Sequence, residues 1–220
     1  MIVVTNRDLC SRPFLAQLES ILRGHPEMVI LREKSLTRDE LLPLAYDCLA
    51  LCEQYEVPLS VNGDLDAARE LDICRVHLPL PVLRTADLTG FTMVGASVHS
   101  PEEAVEAESL GADYLIAGHV FETACKPFEP RGLDFLRRVC EAVDIPVYGI
   151  GGISPANVGS VEETGAAGVC SMSGIMTSDD PQGLIRELTA PFCRYCFLRR
   201  NRYPPHGRGR TVPETRRRRG

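Results

Sequence analysis

His119 closes the apolar run Tyr114-Leu115-Ile116-Ala117-Gly118. A free imidazole titrates near about 6.5, so such a residue can both accept and donate a proton at neutrality, which suits proton transfer at carbon. Two further apolar runs end in glycine-rich segments, Ile150-Gly151-Gly152-Ile153 and Ser171-Met172-Ser173-Gly174-Ile175. Their backbone N–H groups can be approached closely, as an anion such as phosphate requires, although ordinary turns also use glycine. Only Lys34 and Lys126 are lysines among 24 basic residues. Each follows an apolar run, where a compact ammonium could hold phosphate or carboxylate as a point charge. Arg32, Asn62 and Ser97 close other such runs and complete a polar set that could surround one ligand. His77 and His99 occupy similar places, with hydrogen bonding to the backbone as the plainer role. Cys125 near His119 would be a nucleophile only with an orienting partner, and the sequence identifies none.

Residues that close successive strands come together only if the strands are parallel and share one end. The sequence carries that pattern. Short β-branched runs at residues 2–5, 28–32, 59–62, 75–78, 92–97, 114–119, 146–150 and 168–172 alternate with longer stretches of helical period. The stretch 37–55 carries Leu41, Leu42, Ala45, Leu49 and Cys52 on one face. Ser100-Pro101-Glu102-Glu103 reads as a helix start, and Gly111 as its end. Eight β–α units in residues 1–192 imply an α/β fold, a compact single-domain (β/α)8 TIM barrel with short loops and its site at the carboxyl ends of the strands. An open doubly wound sheet is disfavoured, because no G-x-G-x-x-G follows the first strand. The stretch Val120 to Arg131 is the longest expected loop and is placed to cover the mouth as a lid.

Charge divides the chain. Residues 1–193 carry 14 basic and 29 acidic side chains, net −15, whereas residues 194–220 carry ten arginines and one glutamate, net +9. The segment 193–220, rich in Arg, Pro and Gly, is expected to be a disordered tail. Without interleaved aromatics it reads as a solvated extension, and nucleic acid is not an expected partner. Nine cysteines without secretion features suggest reduced thiols. Cys193 and Cys196 have the spacing of half a zinc site with no second pair, so no metal is expected there. No apolar run is long enough for a membrane span, and a cytoplasmic location is expected. The sequence leaves a homo-oligomer open.

Four blocks carry a resemblance over residues 1–190: Ile30-Leu31-Arg32-Glu33-Lys34, Val94-Gly95-Ala96-Ser97-Val98-His99-Ser100, Gly111-Ala112-Asp113-Tyr114 and Ile150-Gly151-Gly152-Ile153. In this order they resemble the thiamine phosphate synthase/TenI superfamily. Its synthases join a pyrimidine pyrophosphate to a thiazole phosphate using magnesium, and its tautomerases aromatise a thiazole carboxylate phosphate. Gly118-His119-Val120-Phe121-Glu122-Thr123-Ala124-Cys125-Lys126 resembles the tautomerase form, and Asn62-Gly63-Asp64 lacks the carboxylate that synthases place beside the asparagine. The resemblance therefore implies a thiazole tautomerase, an isomerase of thiamine biosynthesis with His119 as acid and base and no metal or cofactor. Gly151, Gly152, Ser173 and Gly174 would hold the phosphate. Lys126, Ser97, Thr123 and Asn62 would face the ring and carboxylate, with Arg32 and Lys34 also on the substrate. The alternatives are a magnesium-dependent thiamine phosphate synthase, in which Arg32, Lys34 and Lys126 hold a pyrophosphate, and a noncatalytic regulator that binds a thiazole phosphate.

Overall fold

The computed structural model describes residues 1–123 and 129–192. Eight parallel strands close into a barrel in chain order: β1 Ile2–Val4, β2 Met28–Leu31, β3 Leu59–Asn62, β4 Arg75–Pro79, β5 Met93–Val98, β6 Tyr114–Gly118, β7 Val147–Ile150 and β8 Gly168–Ser171. The expected (β/α)8 barrel is thus observed. Residues expected to end strands, such as Thr5, Arg32, His119 and Met172, fall one position beyond the ladder. Thr5 N–H still donates to the Ile30 carbonyl at 3.0 Å, so the chain there remains extended as it enters the site.

Because both faces of a parallel barrel are covered, its strands are apolar on both sides. Val3, Val29, Leu115 and Val169 face the helices and belong to the large outer core. Ile2, Val4, Met28, Ile30, Tyr114, Ile116 and Cys170 point inward and form a second, axial cluster with Tyr148, Ile150 and Met172. Two large aromatic rings fit on the axis because each faces a glycine. Tyr114 pairs with Gly95, and Tyr148 with Gly168. A methyl group at Gly95 would overlap the Tyr114 ring, and one at Gly168 would come within 2.9 Å of Tyr148. The two rings meet edge to face, with centroids 6.2 Å apart.

The helices outside are α1 Phe14–Leu22, α2 Arg38–Gln54, α3 Leu65–Glu70, α4 Leu80–Leu83, α5 Pro101–Ser109, α6 Gly132–Ala142, α7 Val158–Glu162, α8 Ser173–Met176 and α9 Pro181–Thr189. Helix α2 begins at a capping box in which Thr37 and Glu40 satisfy each other's backbone amides. Its buried stripe is Ala45, Cys48 and Cys52, with Leu41, Leu42 and Leu49 packed beside the core. Helix α5 starts at Ser100, whose hydroxyl accepts from Glu103 N–H at 3.1 Å. The Glu103 carboxylate reaches back one residue further than the sequence suggests, to the His99 amide at 2.6 Å. Cys10, Cys48, Cys52, Cys74 and Cys170 are free thiols. Burial pushes the Cys52 thiol up to about 12 and raises those of Cys48 and Cys170 as well. No helix among the described residues is long and apolar enough to cross a membrane. Cys125, Lys126, Cys193, Cys196 and the arginine-rich segment lie outside the described residues.

Candidate active site at the carboxyl ends of the strands

A cavity of about 650 Å³ opens at the carboxyl ends of the strands, a size that accommodates a drug-sized ligand. Arg32, Asn62, Ser97, His119 and Thr123 line it, together with Gly151, Gly152, Ser173 and Gly174. Residues more than 140 positions apart in sequence are brought to one space, as the barrel topology requires. Lys34 is exposed and does not reach this lining. His99 lies at the rim, paired with Glu103 at 3.3 Å.

The two glycine clusters differ in what they do. Gly151 and Gly152 have φ of +101° and +64°, conformations that favour glycine. A methyl group at Gly151 would stand 2.3 Å from the His119 Cβ, and one at Gly152 would stand 2.2 Å from the Glu122 carbonyl oxygen. These glycines therefore admit the loop after β6 as well as exposing amides. Gly174 has neither constraint, because a methyl group there would only touch the Ser171 hydroxyl oxygen at 3.4 Å. The space beside Gly174 faces the cavity.

The loop after β6 was expected to be a lid, but its described ends are anchored. Val120 is fully buried, and Phe121 packs on the core. Val120 N–H donates to the Ile150 carbonyl at 2.9 Å and Phe121 N–H to that of Gly151 at 3.0 Å. On the return, Arg131 N–H donates to the His119 carbonyl and Gly132 N–H to that of Val120, both at 3.0 Å. His119 is thus held between β7 and the start of α6.

A buried polar chain below the cavity was not legible in the sequence. His77 Nε2 lies 2.8 Å from the Ser97 hydroxyl, and Nδ1 lies 3.2 Å from the Tyr114 hydroxyl. Burial pushes the His77 imidazole down to about 3, so the ring is neutral and presents one donor and one acceptor. It orients Ser97 and cannot serve as an acid at neutral pH. The simpler role considered for His77, bonding to backbone, is replaced by these two side-chain contacts. Register arithmetic across β4, β5 and β6 was the only available signal, since His77 pairs with Gly95, and Gly95 with Tyr114.

Glu33 has a second role that its motif alone does not disclose. Its buried carboxylate accepts from the Thr5 hydroxyl at 2.6 Å and from the Arg7 amide at 3.0 Å. The Thr5 hydroxyl oxygen in turn accepts from Arg32 N–H at 3.0 Å, which fixes the backbone of Arg32 at the cavity. Burial raises the Glu33 carboxyl above its usual range, against the downward pull of these hydrogen bonds.

The donor set does not fit a carboxylate-held magnesium ion, which prefers oxygen ligands including one or two carboxylates. Asp64, the carboxylate nearest to Asn62 in sequence, caps α3 by accepting from Ala67 N–H at 2.8 Å. Glu129 is the only Asp or Glu in the cavity lining among the described residues. No cluster of three or more potential metal-binding His, Cys, Asp or Glu side chains occurs among the described residues.

A family model described as thiamine monophosphate synthase matches residues 1–175. The thiamine-phosphate synthase of Natronomonas pharaonis is 39% identical over 180 residues, covering 78% of this chain and 84% of its own length. That of Desulfitobacterium hafniense strain Y51 is 38% identical over 186 residues, covering 81% and 90%. The solved thiamine phosphate pyrophosphorylase from Pyrococcus furiosus superposes with a TM-score of 0.78 at 32% identity, covering 89% of this chain and 96% of its own. These findings correct the expected tautomerase, an isomerase. That expectation rested on the segment around His119 and on the carboxylate missing beside Asn62, whereas the synthase likeness runs through the barrel and its core. A histidine in a cavity wall also does not by itself establish proton transfer at carbon. By sequence and by structure, the chain belongs to the thiamine monophosphate synthase family.

Proposed function

We propose that this protein is a thiamine-phosphate synthase, a transferase that joins a pyrimidine pyrophosphate to a thiazole phosphate. The observation that carries this reading is a cavity of about 650 Å³ whose lining combines the glycine-rich ends of β7 and β8 with Arg32, Asn62 and Ser97. It has room for two small ring compounds at once. Gly151, Gly152, Ser173 and Gly174 cradle the thiazole phosphate through backbone amides. Asn62 and the Ser97 hydroxyl, fixed by neutral His77, orient the pyrimidine, and Thr123 closes the wall beside the thiazole.

In the reaction, the C–O bond between the pyrimidine's exocyclic carbon and the pyrophosphate breaks, and the bonding pair leaves with the pyrophosphate. The thiazole ring nitrogen uses its lone pair to form the new C–N bond and becomes positively charged. No proton leaves carbon. His119 is therefore assigned to donate an N–H toward an anionic oxygen, and the barrel contributes chiefly by holding the two reacting atoms in line. Arg32 supplies positive charge for the leaving group, with Lys126 assigned the same part by the family resemblance.

The test is to incubate the purified full chain with both substrates and to quantify thiamine phosphate and released pyrophosphate chromatographically. Equimolar formation of the two products, dependent on both substrates, is the expected result. Tight binding of the thiazole phosphate without any joined product would overturn the proposal and favour a noncatalytic phosphate-binding protein.

A further inference from the structure

Two arginines line the cavity that contains the amide cradle, and carboxylates are scarce around it. Arg32 leans toward β8, with Nη1 3.7 Å from the Met172 sulfur, immediately before Ser173. Arg131 stands at the start of α6. Its amide donates to the His119 carbonyl, and the neighbouring Val120 and Phe121 amides donate to the Ile150 and Gly151 carbonyls. Its guanidinium lies over the Phe135 ring, 5.5 Å from the centroid, and Arg131 lines the cavity. The ion pairs among the described residues use Arg7, Arg23, Arg38, Arg69, Arg84 and Arg137. Arg32 and Arg131 are therefore without an acidic partner within ion-pair distance among the described residues.

The joining reaction brings a phosphate and a pyrophosphate into one cavity, and that negative charge must be balanced. A carboxylate-held divalent ion is the usual device, but Asp64 is committed to a helix cap and Glu129 stands alone. The segment 124–128 reads Ala-Cys-Lys-Pro-Phe, so it adds no carboxylate. A guanidinium is charged at every physiological pH and offers a planar fork that matches phosphate oxygens. We propose that Arg32 and Arg131 neutralise the pyrophosphate group directly, in place of a divalent ion held by carboxylates. This rests on the synthase reading above and adds Arg131 as an anion-binding residue and a metal-independent charge balance.

The test is calorimetric titration of the metal-stripped full chain with inorganic pyrophosphate, with chelator and again with excess magnesium. The expected affinities agree within about twofold, because no carboxylate set makes the metal a required partner. Arg32→Gln and Arg131→Gln should each weaken pyrophosphate binding about tenfold or more, the scale of a lost charge-assisted hydrogen-bond pair. Glu129→Gln should leave binding unchanged or tighten it, since it removes a repulsive charge. Should Arg131→Gln fail to fold by circular dichroism, Arg131→Lys keeps the charge without the fork and should give an intermediate loss. Binding that appears only with magnesium, or survives both arginine substitutions, overturns the proposal. Joining of the two substrates that strictly requires magnesium would also overturn it while leaving the synthase reading intact. Metal-independent, arginine-dependent pyrophosphate binding without joining would support it and remove the synthase reading.

Discussion

An alanine methyl at Gly174 would meet only the Ser171 hydroxyl oxygen at 3.4 Å, whereas at Gly151 it would be forced against the His119 Cβ at 2.3 Å. The two substitutions should therefore separate ligand approach from protein packing. Gly174→Ala is expected to unfold at the wild-type temperature yet bind inorganic phosphate about tenfold more weakly, because only the bound anion needs that space. Gly151→Ala should lose roughly 2 kcal/mol or more of stability in denaturant titration, as positive φ and a backbone clash combine. Equal behaviour of the two variants would contradict the distinction. The sequence marked both glycines as phosphate residues and gave no sign that one also makes room for a loop. That information resides in the contact between β6 and β7. His77 was similarly visible only as a histidine ending a strand. Its folded-state value near 3 lies well below the ordinary 6.5, so between those pH values the unfolded chain binds one more proton than the folded one. Its contribution is fully present above pH 6.5 and is lost on acidification toward 3, with a slope approaching about 1.4 kcal/mol per pH unit. Urea titrations across that range should show a shallower pH slope in His77→Gln than in the wild type. Identical slopes would mean that the buried imidazole takes up its proton without unfolding.

At the scale of elements, strands were more legible than loops because each physical signal was local. The run Met28-Val29-Ile30-Leu31 is buried on both faces, and a continuous apolar run is what such a strand needs. The strand after Gly111 was equally plain, since a positive-φ glycine ends one helix before Tyr114 begins the next strand. Short helices such as α4 and α8 escaped, as one turn is too brief for periodicity to register. Asp64 illustrates the limit. Its place near Asn62 disclosed no role, and the structure shows its carboxylate capping α3. Asp64→Asn should preserve stability, because asparagine caps equally well, whereas Asp64→Ala should cost about 1 kcal/mol. Thermal melts of the two variants check this. A comparable loss in both would show that the charge, and not the cap, is what the protein uses.

The whole molecule is a closed ring of eight strands, each hydrogen-bonded on both sides within residues 1–192. Closure leaves no strand edge for the remaining residues to complete. Truncation after Phe192 is accordingly expected to leave the unfolding midpoint and phosphate affinity unchanged, measured by calorimetry. A large drop in either would assign the arginine-rich segment a part in the barrel. Removing the segment also changes the formal net charge from −6 to −15, so retention on an anion exchanger should increase. The axial tyrosines carry a different consequence, for anyone who would transplant this site. Tyr114 fills the space left by Gly95 and its hydroxyl holds His77, which in turn aims Ser97 at the ligand. The loops of this barrel are therefore not a detachable module. A host scaffold given the loops alone, with its own aliphatic floor, would receive the serine without its bearing. The grafted unit must include the floor residues Gly95, Tyr114 and His77.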